Sequence, residues 1–319
     1  MQILSRLYLF LVTRFPRVEI LIRKLYWKNY SKLKRLNPHR GEGGKTTFTG
    51  ISVEFDDVLK VLSDNGIGKG ALLVVHSSYS GLQCTGLSEE QIIDRLLDHI
   101  GPTGTLAMPV IRKFKGEPKP QDLLTTNVDD LTCTYNVKSS PVISGMLPYT
   151  LMQKENAVVS HFPYNPLCAV GPLAKPMMEH NLDGELPSAH GPNSSWKFCL
   201  DHNAYYIGLG VDLERHCTMV HVAEEAFGDW HWSDDEWYRI RKFNIKDENG
   251  NTTYKEIKER KPQWGMLHIA EMKMAYDFKK NGVIKVFKVG SQVEVGISTA
   301  QDVVSFIRSK NKNGYPYYE

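Results

Sequence analysis

The sequence predicts an α/β fold, more loosely α+β: a mixed, mostly parallel central sheet flanked by helices, with a smaller C-terminal α/β part. Three observations predict it. ALLVV (71–75), GTLAMPV (104–110) and NAYYIGLGV (203–211) are short apolar runs of the kind that form strands buried on both faces. SEEQIIDRLLDHIG (88–101), between the first two runs, has helical spacing, and strand–helix–strand at this distance makes a parallel βαβ unit. WYRIRKFNIKDENGNTTYKEI (237–257) reads as a hairpin around Asn249-Gly250, a strong turn signal.

The other elements follow in chain order. NPHRGEGGKTTFTG (37–50) reads as a linker, so residues 1–50 form an arm and residues 51–319 the body. Val53 to Leu62 has helical spacing and ends at the turn DNGIGKG (64–70). The helix after Ser88 is started by a capping box, Ser88 with Gln91, presents Ile92, Leu96 and Leu97 on one face and stops at Gly101. Residues 111–137 are long and polar with no clear period, which marks a functional or disordered loop. Gly145–Met152 reads as a helix, PLCAVG (166–171) as a strand, and Ser194 as the cap of a short helix. HCTMVHVAEEAFGDW (216–230) reads as a longer helix. Residues 238–319, with the hairpin, a helix at 267–281, two strands and a last helix capped by Thr299 with Asp302, read as a subdomain.

Composition narrows the function classes. With 41% hydrophobic and 24% charged residues in 319, the chain is an ordinary globular protein. No run of about 18 apolar residues marks a transmembrane helix, and the apolar start lacks a small-residue cleavage site. Cys84, Cys133, Cys168, Cys199 and Cys217 are an odd, scattered set, as expected of reduced thiols in the cytoplasm. Residues 1–40 carry ten Lys or Arg against one acid, Glu19, whereas the rest carries 29 basic and 35 acidic residues. Such an arm suits the anionic inner face of a membrane, or packing on the body or on a second subunit of a homo-oligomer. The acidic body offers no groove for nucleic acid.

Three constellations can carry chemistry. His76-Ser77-Ser78 ends a strand, where open α/β sheets bind ligands, although such a trio also serves as a turn bonding its own backbone. Thr218-x-x-His221-x-x-Glu224 places a hydroxyl, an imidazole and a carboxylate on one helix face. The carboxylate fixes the tautomer of the imidazole, which suits a general base, and the pattern is read equally well as a helix brace. Asp229 to Tyr238 gathers Trp230, Trp232 and Trp237 among acids, for stacking on a sugar or for simple burial. His216 and His221 have the wrong spacing for a helical zinc pair, and GIGKG (66–70) is no phosphate loop, so no metal is expected.

ALLVVHSSYSGL, IIDRLLDHIGPTGTLAMPV, SSPVISGMLP, FPYNPLCAVGPLA, HGPNSSWKF, YYIGLGV and TMVHVAEE, in this order from about Val53 to Phe227, resemble the aminoglycoside 3-N-acetyltransferase family. The resemblance implies acetyl-CoA as donor and direct transfer to an amine in a ternary complex. It puts His76, Ser77 and Ser78, with Ser140 and Gly145, at the cofactor. The family's catalytic histidine, in its Leu-His-x-x-Glu motif, falls on His221, here preceded by Val220, and its acid on Glu224. Thr218 is then a donor to the tetrahedral oxyanion, and Cys217 marks a covalent variant of the route.

The departures lie on the acceptor side. Where the family has Arg-Ser-x-His-Pro this chain has Val159-Ser160-His161-Phe162-Pro163, and Pro166 stands where a Ser is common. The segment VDLERHC is longer, so Asp212 and Glu214 are both candidates for a family carboxylate there. Asp212, Glu214, Phe162 and Trp230 are therefore expected at the acceptor. These changes point away from antibiotics and towards an amino sugar, nucleotide-linked or bound for a surface polysaccharide. Antibiotic acetylation and a non-catalytic CoA-binding scaffold are the alternatives.

Overall fold

Burial on both faces fixes the middle of the sheet. In the computed structural model, which describes residues 15–33, 53–119, 122–230, 232–264, 268–290 and 292–311, strand β1 (Leu72–Ser77) sends Leu73 and Val75 into one core and Leu72 and Val74 into the other. Alternation of side chains along a strand does this automatically, and it explains why the run is apolar without a polar face. β1 pairs in parallel with β2 (Thr105–Pro109) on one side and β6 (Tyr205–Leu209) on the other.

Ahead of β1 come α1 (Pro16–Lys28), the short α2 (Tyr30–Leu33) and α3 (Phe55–Asp64), and the crossover to β2 is α4 (Glu89–Ile100). The capping box is formed: Ser88 Oγ accepts the Gln91 N–H at 3.2 Å and the Gln91 side chain accepts the Ser88 N–H at 2.8 Å. Two orphan N–H groups are thus satisfied, at a gain of about 1 kcal/mol for such a cap. The linker read at 37–50 and the first residues of the arm lie outside the described residues.

The large sheet runs β4-β5-β2-β1-β6-β10-β9, from β4 (Val158–Val159) and β5 (Leu167–Val170) at one edge to β10 (Val293–Thr299) and β9 (Lys285–Val289) at the other. The parallel character expected of most of it is confined to β2, β1 and β6, because the flanking strands all pair antiparallel. A helical crossover returns a strand in the same sense, while the short turn between β9 and β10 returns it in the opposite one. A second sheet, β3-β7-β8, joins β3 (Thr132–Asn136) to the hairpin of β7 (Tyr238–Lys246) and β8 (Thr252–Arg260). Residues 238–319, read as a subdomain, thus supply strands to both sheets.

Two expectations are corrected. The stretch 111–137 holds β3, whose Cys133 and Tyr135 are buried while Thr132 and Thr134 are exposed. The helix expected over 216–230 is only α8 (Val220–Glu225). Its lead-in is tighter than an α-helix: the N–H groups of Val220, His221 and Val222 each bond the carbonyl three residues back. The remaining helices are α5 (Met146–Met152), α6 (Ala174–Glu179), α7 (Ser195–Asp201), α9 (Asp234–Trp237), α10 (His268–Lys280) and α11 (Ala300–Asn311). α3, α4 and α5 cover one face of the large sheet, and α6, α7, α8, α10 and α11 the other.

Candidate active site

The carboxyl ends of β1, β2 and β6 open into one cavity of about 520 Å³. The chain leaves β1 on one side for β2 and returns on the other side as β6, and at such a reversal the loops separate and leave a crevice. The loops after β1 and β6 interlock at Gly81 and Gly210. A Cβ on Gly81 would stand 2.3 Å from the Gly210 carbonyl oxygen, and Gly210 itself has φ +66°. Only glycine permits that approach, and it sets the loop bearing Thr218 against the loop that follows His76 at the end of β1.

His76 and Ser77 line this cavity together with Ile111, Ser144, Thr218 and His221. The His76 ring packs against Trp196 and Tyr206, with Nε2 2.8 Å from the Tyr206 hydroxyl. Burial, with His216 nearby, lowers His76 to about 3, so it is neutral at physiological pH and offers hydrogen bonds, not charge. The Ser77 hydroxyl is buried without a protein partner. Ser78 faces away, its Oγ 2.9 Å from Ser80 Oγ. Ser140 is also set back: its Oγ accepts the Asn136 N–H at 2.9 Å and its carbonyl accepts a bond from buried Arg112. Gly145, at φ +115°, begins α5 beside the cavity residues Ile143 and Ser144.

His221 and Glu224 lie on α8, and Thr218 lies in the turn just ahead of it, its carbonyl accepting the His221 N–H. The tight lead-in turn helps to align them, because residues three apart eclipse in a 3₁₀ turn. His221 Nδ1 lies 2.7 Å from Glu224 Oε2, and Glu224 is buried at 4% exposure. Nothing in the local sequence foretold the next contact. Arg260, the last residue of β8, lays its guanidinium along the imidazole, Nη1 2.7 Å from Nδ1 and Nη2 3.1 Å from Nε2, with Nη1 also 3.3 Å from Glu224 Oε2.

Behind His221 is a second, smaller cavity of about 150 Å³, lined by Tyr164, Asn165, His190, Glu225, Lys258 and Arg260 among others. The His190 ring is 5.0 Å from that of His221. The Tyr164 hydroxyl and His190 Nδ1 are buried without hydrogen-bond partners, the latter 3.5 Å from Glu225 Oε2. Burial opposes ionisation of Glu225, but His190 beside it, with Arg260 and His221 beyond, overrides burial and holds the carboxyl at about 2. His190 had a signal in the sequence, since it opens the HGPNSSWKF piece.

The residues expected at the acceptor are not gathered here. Phe162 is in the core at 3% exposure, because Ser160 Oγ accepts its N–H at 3.1 Å in a turn that sends the ring inward and leaves His161 outside to meet Glu248. Asp212 pairs with Arg215, Nε to Oδ2 3.1 Å. Glu214, raised by burial and by the neighbouring Asp212, is not among the residues lining either cavity. Trp230 packs edge-on against Trp237 at 5.4 Å. Cys217 lines the large cavity, but burial pushes its thiol up to about 12, which keeps it protonated and weakly nucleophilic.

Comparison with known proteins places the chain in a family. The chain is 29% identical over 172 residues to aminoglycoside N(3)-acetyltransferase IX of Micromonospora chalcea, covering 51% of this chain and 58% of that enzyme, so it spans less than two thirds of that relative. The fold is that of aminoglycoside acetyltransferase AAC(3)-IIb (TM-score 0.64, 19% identity, covering 83% of this chain and 99% of that one). It is also that of AAC-IIIb in its binary complex with CoASH (TM-score 0.61, 20% identity, 82% and 97%). The family model for aminoglycoside 3-N-acetyltransferase matches residues 74–310, and the chain belongs to that family.

Proposed function

We propose that the protein transfers the acetyl group of acetyl-CoA to the primary amine of an amino sugar, directly, with His221 as general base. The observation that carries this reading is that His221 lines the larger cavity while its neighbours His190 and Arg260 line a smaller one of unlike chemistry. The larger one, with its apolar walls of Pro109, Ile111 and Ile143 and the Ser77 and Thr218 hydroxyls, suits a pantetheine arm and thioester. The smaller one, with Tyr164, Asn165, His190 and the Glu225 carboxylate, suits one sugar ring carrying an ammonium group. The similar AAC-IIIb, known as a binary complex with CoASH, supports the donor.

The step balances simply. The ammonium loses a proton to His221 Nε2 while Nδ1–H stays on Glu224. The freed lone pair bonds to the thioester carbon, Thr218 and nearby N–H groups stabilise the oxyanion, the C–S bond breaks, the thiolate takes the proton from His221, and the nitrogen sheds its second proton to solvent as it becomes the amide. Among amino sugars, the reading favours nucleotide-linked or polysaccharide precursors over antibiotics. The smaller cavity, at about 150 Å³, has room for one sugar ring and not for a multi-ring aminoglycoside. The test is CoA thiol release with nucleotide-linked amino sugars set against aminoglycosides. Stimulation by the first group and little by the second is expected. Tight CoA binding with no stimulation by any amine would leave only a scaffold.

We also propose that the arm rests on an anionic membrane. Val18, Leu21, Ile22 and Leu25 recur at helical spacing on α1, with Phe15 just ahead of it, and all are exposed, Leu21 at 58%; Lys24 and Lys28 on α1 and Lys32 on α2 are exposed as well. An apolar stripe flanked by cations is the pattern of a helix lying in a lipid interface. No helix among the described residues is long and apolar enough to cross a membrane. Vesicles containing phosphatidylserine should sediment the protein, neutral vesicles should not, and Leu21→Glu with Leu25→Glu should abolish it. Equal retention by both vesicle types defeats this placement.

A further inference from the structure

We propose that Arg112 sets the wall of the larger cavity: its guanidinium, buried beneath residues 137–152, pins that segment at both ends and so fixes the affinity for CoA. Arg112 is then a positioning residue, and the proposal rests on the larger cavity being the donor site.

The chain leaves β2 at Pro109 and divides its next side chains between two sides. Ile111 lines the larger cavity, whereas Arg112 is buried at 3% exposure. Its Nη1 donates to the Ser140 carbonyl, and its Nη2 donates to the Val137 carbonyl at 2.7 Å and meets Met152 Sδ at 2.8 Å. Val137 and Ser140 lie in the turn after β3, outside any strand or helix, and Met152 is the last residue of α5. One side chain thus reaches the start and the end of the segment.

Backbone bonds hold the middle. The Ile143 N–H donates to the Ile111 carbonyl at 2.8 Å, the Lys113 N–H donates to the Pro141 carbonyl at 3.0 Å, and Ser144 Oγ accepts the Ile111 N–H at 3.1 Å. These bonds lay 141–144 antiparallel to 111–113 and put Ile143 and Ser144 on the cavity, with Pro148 of α5 beside them. A two-stranded pairing this short is marginal by itself. Gly145, at φ +115°, then turns the chain between the pairing and α5.

A buried guanidinium costs free energy unless its N–H groups are bonded, so its position is dictated by the carbonyls it can reach. Nε is buried without a partner, which leaves the hold to the two Nη groups. A planar fork can bond two carbonyls at once, whereas a Lys ammonium is a single point on a flexible stem. Without the fork the segment keeps its short backbone pairing but loses the hold on both ends. If the wall then stands in its binding position about a tenth of the time, apparent affinity falls about tenfold. The chemistry is spared, because His221 and Glu224 stand on α8 and none of the Arg112 bonds goes to them.

The experiment titrates the protein with CoA and follows backbone hydrogen exchange. In Arg112→Met, which keeps apolar bulk without the fork, the dissociation constant for CoA should rise about tenfold. In Arg112→Lys, able to bond one carbonyl, it should rise less. Exchange at residues 137–145 should speed up in the free variants and slow again with CoA bound. In thiol release with the amine that stimulates it best, KM for acetyl-CoA should rise in step while kcat holds, the signature of lost uniform binding. Unchanged CoA affinity in folded Arg112→Met, or a fall in kcat with affinity unchanged, overturns the positioning role. If Arg112→Met does not fold, Arg112→Lys decides in the same way. Ile143→Glu, in the wall itself, separates the two readings. Loss of CoA binding there with none in Arg112→Met removes only the role of Arg112, whereas normal CoA binding in Ile143→Glu would mean that the larger cavity is not the donor site.

Discussion

His221→Ala is expected to lower acetyl transfer by about 10²–10⁴-fold, the usual contribution of a positioned general base. The loss should fall on kcat. Binding of acetyl-CoA should change little, because the walls of the larger cavity come from the loops after β1, β2 and β6 and from the 143–148 segment, and His221 contributes only one edge. The fold should survive as well. His221 is partly exposed, at 16% of its side chain, so the truncation removes little buried surface. The measurement is thiol release under saturating acetyl-CoA, with a thermal melt as the control for folding. Near-normal turnover in a folded variant would assign the proton transfer to another group. Cys217 is not the natural heir, since its thiol is held at about 12 and its thiolate is scarce at neutral pH.

How much of this site could be read from the sequence depends on how local each signal is. β1, β2 and β6 announced themselves because strands buried on both faces must be apolar throughout, and the capping box because its two bonds join residues three apart. Thr218, His221 and Glu224 were legible for the same reason. Arg260 was not: it meets His221 across 39 residues, through a hairpin whose own pattern says nothing of what lies beneath its last residue. β3 carried a faint alternation in TCTYN, but its neighbours are polar loop, and only pairing with β7 makes it a strand. Phe162 shows the opposite failure. Its position in a motif suggested a contact with the acceptor, whereas a two-residue turn closed by Ser160 Oγ buries it. Which sheet the C-terminal strands join was beyond reach, because a strand's edge bonds are set by neighbours and not by its own residues.

Glu224→Gln is expected to cost about a hundredfold in kcat while leaving the imidazole in place. Glutamine has the same shape, and its amide oxygen can still accept the Nδ1–H now directed at Oε2, so the tautomer is kept. What disappears is charge. When His221 takes the acceptor's proton it becomes an imidazolium, and a carboxylate about 4 Å from that charge in a medium of effective dielectric about 20 attracts it by about 4 kcal/mol. Solvent at the half-open rim and the Arg260 cation take part of that away. About 2–3 kcal/mol then remains, which is roughly a hundredfold. The variant should therefore transfer acetyl slowly while folding and binding acetyl-CoA as the unaltered protein does, which thiol release at saturating acetyl-CoA and a thermal melt check. Full activity would show that the buried carboxylate only braces α8.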